Sequence, residues 1–174
     1  MEQPSDQTLL ETAAAGDEQA FEALYRRHQG FVLAVAARFG ASGDEAFDVL
    51  QETFVDLAGR LPGFRLRARL TTFLYPVAKH FALKRRRRAG RFALFGRARD
   101  MEPVLPPVPP SESAKGGVSA IVAALPAGQR EVLLLRFQDG FSLEEIGTAL
   151  GIPVGTVKSR LHNALSTLRS ELNE

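Results

Sequence analysis

Ser142-Leu143-Glu144-Glu145-Ile146-Gly147-Thr148-Ala149-Leu150-Gly151-Ile152-Pro153-Val154-Gly155-Thr156-Val157-Lys158-Ser159-Arg160-Leu161 is the stretch on which the fold turns. Ser142 and Glu145 have the spacing of a capping box, in which hydroxyl and carboxylate satisfy each other's free backbone amides. Leu143, Ile146, Gly147 and Leu150 then fall at i, i+3, i+4 and i+7, one face of a two-turn helix. Gly151 supplies a left-handed helix stop, and Pro153 suits the first position of the next helix. Two helices therefore meet steeply through a very short connection, and Gly147 lets their backbones come close. In the second helix Val157, Leu161, Leu165, Leu168 and Leu172 are expected to point inward. That leaves Thr156, Lys158, Ser159, Arg160, His162 and Asn163 on the other surfaces, side chains suited to groove edges and phosphates. An ordinary helical hairpin with a polar outer face is the competing reading. The Gly-Ile-Pro turn and the outward run of small polar and basic groups weigh against it, and His162 by itself reads as a surface residue.

Upstream, Gln129 to Phe137 is a helical segment that Asp139-Gly140 turns, and Ile121 to Leu125 is a short helix closed by Pro126. Residues 100–117 hold five of the ten prolines and end in Gly116-Gly117. Proline fixes φ and removes amide donors, so the segment reads as an extended, semi-rigid linker. The expected organisation is a helical domain over 1–95, a Pro-rich linker over 96–117 and a helix-turn-helix domain over 118–174. The fold class is all-α.

The N-terminal part is helical throughout. A short helix near Thr8 to Ala15 ends at Gly16, and Asp17 caps a longer one from about Glu18 to Phe39. Ser42-Gly43-Asp44-Glu45 has capping-box spacing, which predicts a helix to about Ala58, and another runs from about Leu70 to Arg88. Pro76 lies inside the latter, so a bend near Thr72 and Phe73, or a break there, is expected.

The net charge of +2 conceals a strong polarity. Residues 1–58 carry 3 basic and 11 acidic side chains, residues 59–99 carry 13 basic and none acidic, and residues 100–174 carry 6 and 9. An acid-free block of that density attracts a polyphosphate backbone by counterion release. A solvated face or an anionic-membrane patch are the bland readings, the latter without a strongly apolar amphipathic helix behind it. With no Cys and only His28, His80 and His162, disulfides and thiolate chemistry are excluded and a structural zinc site has too few ligands. An enzyme needs a nucleophile, a base and an orienting group, and no His sits in such a signature; capping explains Glu144-Glu145 better than acid-base work does. Neither cofactor nor metal is expected. No apolar run of about 18 residues and no signal-peptide pattern occurs, so a cytoplasmic protein without membrane insertion is expected.

Leu125-Pro126, Arg130-Glu131-Val132, Phe141 to Ile146 and Leu150 to Leu161 resemble the C-terminal DNA-binding domain of the extracytoplasmic-function (ECF) sigma factors of bacterial RNA polymerase. Asp48-Val49-Leu50-Gln51-Glu52-Thr53-Phe54 looks like the family's polymerase-docking helix, and Phe73-Leu74-Tyr75 with the basic helix that follows looks like its promoter-recognising helix. The resemblance implies that Asp48, Gln51, Glu52 and Phe54 meet the clamp coiled coil of the largest polymerase subunit, an arrangement in which the acidic N-terminal block steers docking instead of repelling DNA. It also implies promoter contacts in the N-terminal domain from Arg65, Arg67, Arg69, Lys79, His80, Lys84, Arg85, Arg87 and Arg88, with Lys84 to Arg88 on phosphates. Arg60 to Thr72 corresponds to the loop that captures an unpaired base; Phe64 and Phe73 are its stacking candidates, with core packing the favoured alternative for Phe73. Where the family usually carries tryptophan, asparagine and aspartate, this chain has Phe73, His80 and Lys84. The implied partners are core RNA polymerase, promoter DNA and, as often in the family, an anti-sigma factor. The alternative function is a stand-alone helix-turn-helix repressor or activator, which would normally dimerise, though no dimerisation heptad is evident.

Overall fold

A computed structural model describes residues 4–93 and 117–172, with the side chains of 89–93 outside the description. The expected linker over 96–117 lies almost wholly outside the described residues. The chain divides into two compact units, Met1–Arg99 and Asp100–Glu174. Among the described residues all regular structure is helical, in eight helices.

The first unit contains α1 (Asp6–Ala14), α2 (Glu18–Arg38), α3 (Asp44–Arg60) and α4 (Leu70–Ala93). The Ser5 hydroxyl accepts from the Thr8 amide at the start of α1, and the Asp17 carboxylate accepts from the Gln19 and Ala20 amides at the start of α2. Asp6 then ties the two helices together, accepting from Arg27 at 2.6 Å and lying 2.9 Å from Nε2 of the buried His28. Helix α2 packs on α1, α3 and α4, and α3 packs on α4. Leu24, Val32, Val35, Phe39, Leu50, Leu57, Leu74 and Tyr75 close the core between them.

One expectation for this unit needs correction, and one of two alternatives for another falls away. Ser42 does not form a capping box. Gly43, at φ 53°, is the N-cap of α3 and makes no side-chain cap bond. This puts Ser42 one residue outside the helix and Glu45 one residue too early to reach back, and the Glu45 amide bonds the Ser42 carbonyl instead. Of the bend or break expected at Pro76, the break does not occur, since α4 runs through it. An internal proline costs about 3 kcal/mol, but Leu70, Leu74 and Tyr75 are fully buried around it. Each such side chain contributes roughly 1.5–3 kcal/mol, which outweighs the missing backbone bond.

The second unit contains α5 (Val118–Ala124), α6 (Ala127–Phe137), α7 (Leu143–Leu150) and α8 (Val154–Leu172). Helix α8 packs on α5, α6 and α7. The Ser142 capping box is fully formed: the Glu145 amide donates to Ser142 Oγ at 3.1 Å, and the Ser142 amide donates to Glu145 Oε2 at 2.8 Å. Gly151 closes α7 in the left-handed region at φ 65°, ψ 33°. The Ile152 amide returns to the Gly147 carbonyl at 3.0 Å. Pro153 stands just outside α8, its carbonyl accepting from Thr156 and Val157. A clasp joins α5 to α6: the buried Arg130 donates from Nη1 to the Ala123 carbonyl at 2.6 Å, and burial pushes its pKa down from the ordinary arginine value. Leu161, Leu165 and Leu168 pack on Leu125, Leu133 and Ala164 as expected. Leu172 does not; it lies one turn beyond that cluster and is exposed.

The Ser142→Ala variant loses the hydroxyl half of the capping box, while the amide of residue 142 can still donate to Glu145, so its C-terminal unit is expected to be about 1 kcal/mol less stable in a denaturant titration. An unchanged midpoint would mean that water replaces the cap at no cost.

Candidate nucleic-acid interface

On α8, Val157 and Ala164 face the core, and Lys158, Ser159, His162 and Asn163 are exposed. Their i, i+1, i+4, i+5 spacing makes one continuous stripe along the helix, the shape that enters a major groove. Thr156 and Arg160 are half-buried at its margin. Arg160 folds back over the first turn of α6, so closely that a Cβ added to Gly128 would lie 3.0 Å from Arg160 Nη1. Of the six residues expected to read DNA, four form the open stripe and two flank it.

In the first unit the acidic and basic helices are neighbours. On α3, Gln51 is exposed and Asp48 and Glu52 are half-buried. Phe54 does not share their face. It is buried, with ring centroids 6.1 Å from Phe21 and 4.9 Å from Tyr25, so its ring belongs to the core and is closed to a partner. The apolar groups that α3 does present are Phe47 and Val55, 57% and 70% exposed. With Gln51 they fall at i, i+4 and i+8, a second stripe that helical periodicity could have disclosed beside the core stripe of Val49, Leu50, Thr53, Phe54 and Leu57.

The basic side chains of α4 are held in three ways. Lys84 lies over the Phe81 ring at 5.6 Å and Lys79 over Phe39 at 5.3 Å, their ammonium groups above aromatic faces. His80, Arg87 and Arg88 are exposed, His80 with its ring 5.4 Å from that of Phe81. Arg85 differs from the expectation of a ready phosphate contact. Its guanidinium donates to Asp48 Oδ2 at 2.7 Å and to Glu52 Oε2 at 3.3 Å, joining the two helices. Arg65, Arg67 and Arg69 are exposed between α3 and α4. Phe64 of the same loop and Phe73 in the first turn of α4, both half-buried, pack edge to face at 4.8 Å. Arg60, paired with Asp56 at 2.7 Å, covers the Phe73 ring at 5.5 Å. Each stacking candidate thus already has the other as its partner. The Leu66 amide donates to Gln7 Oε1, which anchors the loop to α1. None of the described helices is long and apolar enough to cross a membrane.

A helix-turn-helix with an open polar stripe, and a separate helical unit carrying an acidic helix beside a basic one, define a DNA-binding protein of the transcription apparatus. Residues 24–92 match the family model for sigma-70 region 2, and residues 117–168 match that for sigma-70 region 4. The ECF RNA polymerase sigma-E factor of Escherichia coli K12 is 31% identical over 188 residues, spanning 98% of this chain and 96% of that protein. A solved structure of CnrH in complex with the cytosolic domain of CnrY superposes with a TM-score of 0.67 at 29% identity, covering 98% of each chain. The sigma factor RpoE of Bartonella quintana, solved with the anti-sigma factor NepR, shares the fold at 22% identity and a TM-score of 0.61, over 88% of this chain and 96% of that one. The chain belongs to the ECF sigma factors of RNA polymerase. It is a transcription initiation factor that directs the polymerase to promoters, and the stand-alone repressor or activator gives way to this reading.

Proposed function

We propose a division of labour among three surfaces of this chain. The open face of α3, with Asp48, Gln51 and Glu52 and with Phe47 and Val55 added to them, docks on core RNA polymerase at the clamp coiled coil of its largest subunit. The basic side of α4 and the loop before it, from Arg65 to Arg88, hold promoter phosphates while the strands part. The α8 stripe of Lys158, Ser159, His162 and Asn163 reads the upstream promoter element, with Thr156 and Arg160 at its edge. An anti-sigma protein, of the kind in complex with the Bartonella relative, acts by covering the docking and reading surfaces. The chain makes and breaks no covalent bond and works in the cytoplasm with the polymerase. The observation that carries this reading is the segregation of charge, with 11 acidic groups over residues 1–58 and 13 basic groups with no acid over residues 59–99. One surface suits a basic protein and the other a polyanion.

The test is transcription from a promoter library with the pure chain and core polymerase. Initiation from a defined promoter set that needs both proteins is expected; the chain binding and repressing promoters without polymerase would sink the reading. A second expectation is quantitative. Neutralising Lys84 and Arg88 to Gln removes two phosphate partners, so the plot of log affinity against log salt is expected to flatten by about 1.4–1.8. An unchanged slope in fluorescence anisotropy would take α4 off the phosphate backbone.

A further inference from the structure

We propose that Arg85 is a coupling residue: in the free chain Asp48 and Glu52 neutralise it, and docking of those acids on a basic polymerase surface releases it to bind promoter phosphate. The inference rests on the reading of α3 as the docking helix and α4 as a phosphate-binding helix, and it adds a link between them.

The geometry is specific. Asp48 and Glu52 stand one turn apart on α3, and the single guanidinium of Arg85 reaches both from α4, at 2.7 Å and 3.3 Å. None of the three is sealed in: the side chains of Arg85, Asp48 and Glu52 keep 25%, 48% and 32% of their exposure. Ion pairs this open to water are individually weak and exchange partners readily. A basic group arriving on α3 competes for the same carboxylate oxygens that Arg85 uses. Once displaced, Arg85 has a phosphate site at hand, because the exposed Arg88 lies three residues further along α4 and so on the same side of the helix. The linkage is reciprocal: whatever docking adds to DNA affinity through Arg85, DNA adds to docking.

The experiment measures binding of a fluorescent 20-nucleotide oligo(dT) to the full chain, free and in complex with core polymerase, over a salt series. In the free chain Arg85→Gln is expected to leave the salt slope as in the parent. In the complex it is expected to lower the slope by about 0.7, the share of one single-strand phosphate. The mimic of docking is Asp48→Asn/Glu52→Gln, with Asp44→Asn/Glu45→Gln on the first turn of the same helix as a control for lost negative charge. The mimic is expected to steepen the free-chain slope by about 0.7 beyond the control, and Arg85→Gln is expected to abolish that excess. If Arg85→Gln does not fold, Arg85→Met replaces it, since it keeps the aliphatic stem without the charge and is expected to abolish the same excess.

An excess that survives Arg85→Gln, or a mimic no different from the control, overturns the coupling. So does an Arg85→Gln that already flattens the slope of the free chain. The variant Lys84→Gln separates the two levels. If it flattens the slope while the mimic does nothing, α4 still binds phosphate and only the coupling fails. If it changes nothing, the phosphate reading of α4 falls and takes the coupling with it.

Discussion

The double variant Phe47→Asp/Val55→Asp is expected to bind core RNA polymerase about a hundredfold more weakly, with its fold intact. Both side chains project from α3 into solvent, 57% and 70% exposed, so their removal leaves no cavity. Exposed residues off the core typically change stability by no more than about 0.5 kcal/mol. On the proposal that α3 is the docking helix, the same side chains would fall in the dry centre of the contact, where an anchoring residue contributes about 2 kcal/mol or more. Two anchors, allowing for their non-additivity, give the hundredfold figure, since a factor of ten corresponds to about 1.4 kcal/mol. Aspartate brings a second cost, because a desolvated carboxylate at the centre of the contact has no partner. The pair Phe47→Ala/Val55→Ala separates these terms, for it loses area without adding charge and is expected to be hit less. The measurement is a dissociation constant for core polymerase, beside a circular-dichroism melt. Unchanged affinity in the Asp variant would move the docking surface off α3.

What could be read from the residues alone, and what could not, divides along the range of the interactions. The capping box at Ser142 and Glu145, the left-handed Gly151 and the close approach at Gly147 are decided within a few residues by backbone geometry, and all three stand in the structure. The Ser42 cap follows the same local rule and fails, because the positive φ of Gly43 moves the helix start by one residue and no hydroxyl remains in register. Adjacency in sequence groups Phe54 with Gln51 and Glu52, whereas helical phase puts it with Leu50 and Leu57 on the core side. The pairing of Arg85 was out of reach, since its partners lie 33 and 37 positions away. Nothing local distinguishes Arg85 from the other basic residues between Lys84 and Arg88. Only the packing of α4 against α3 sets it apart.

The variant Gly147→Val is expected to destabilise the C-terminal unit by about 3 kcal/mol, at the upper end of what overpacking costs. An added Cβ would lie 3.0 Å from the Ile152 carbonyl oxygen and 3.5 Å from Val154 Cγ2. The first of these atoms is backbone in the turn between α7 and α8, and it cannot step aside as a flexible side chain would. The Ile152 amide is bonded to the Gly147 carbonyl at 3.0 Å, so pushing the turn away also stretches that bond. Alanine meets the same oxygen but recovers up to about 1 kcal/mol of helix propensity, so Gly147→Ala is expected to fall between valine and the parent. In a domain of this size 1 kcal/mol moves the melting temperature by roughly 4–8 °C, so the valine variant is expected to melt more than about 10 °C lower in that unit. The first unit is compact by itself and carries α3, so its affinity for core polymerase is expected to stay within about twofold of the parent, inside the usual range of a neutral surface change. The two measurements discriminate sharply. Loss of upstream promoter binding with docking retained, measured well below the variant's own melting temperature, would mean that this contact helps hold α8 at the angle that reading needs. A parent-like melt would mean that the turn opens freely, and then the angle between the helices would be set by the core around Ile146, Ala149 and Val157 and not by the glycine.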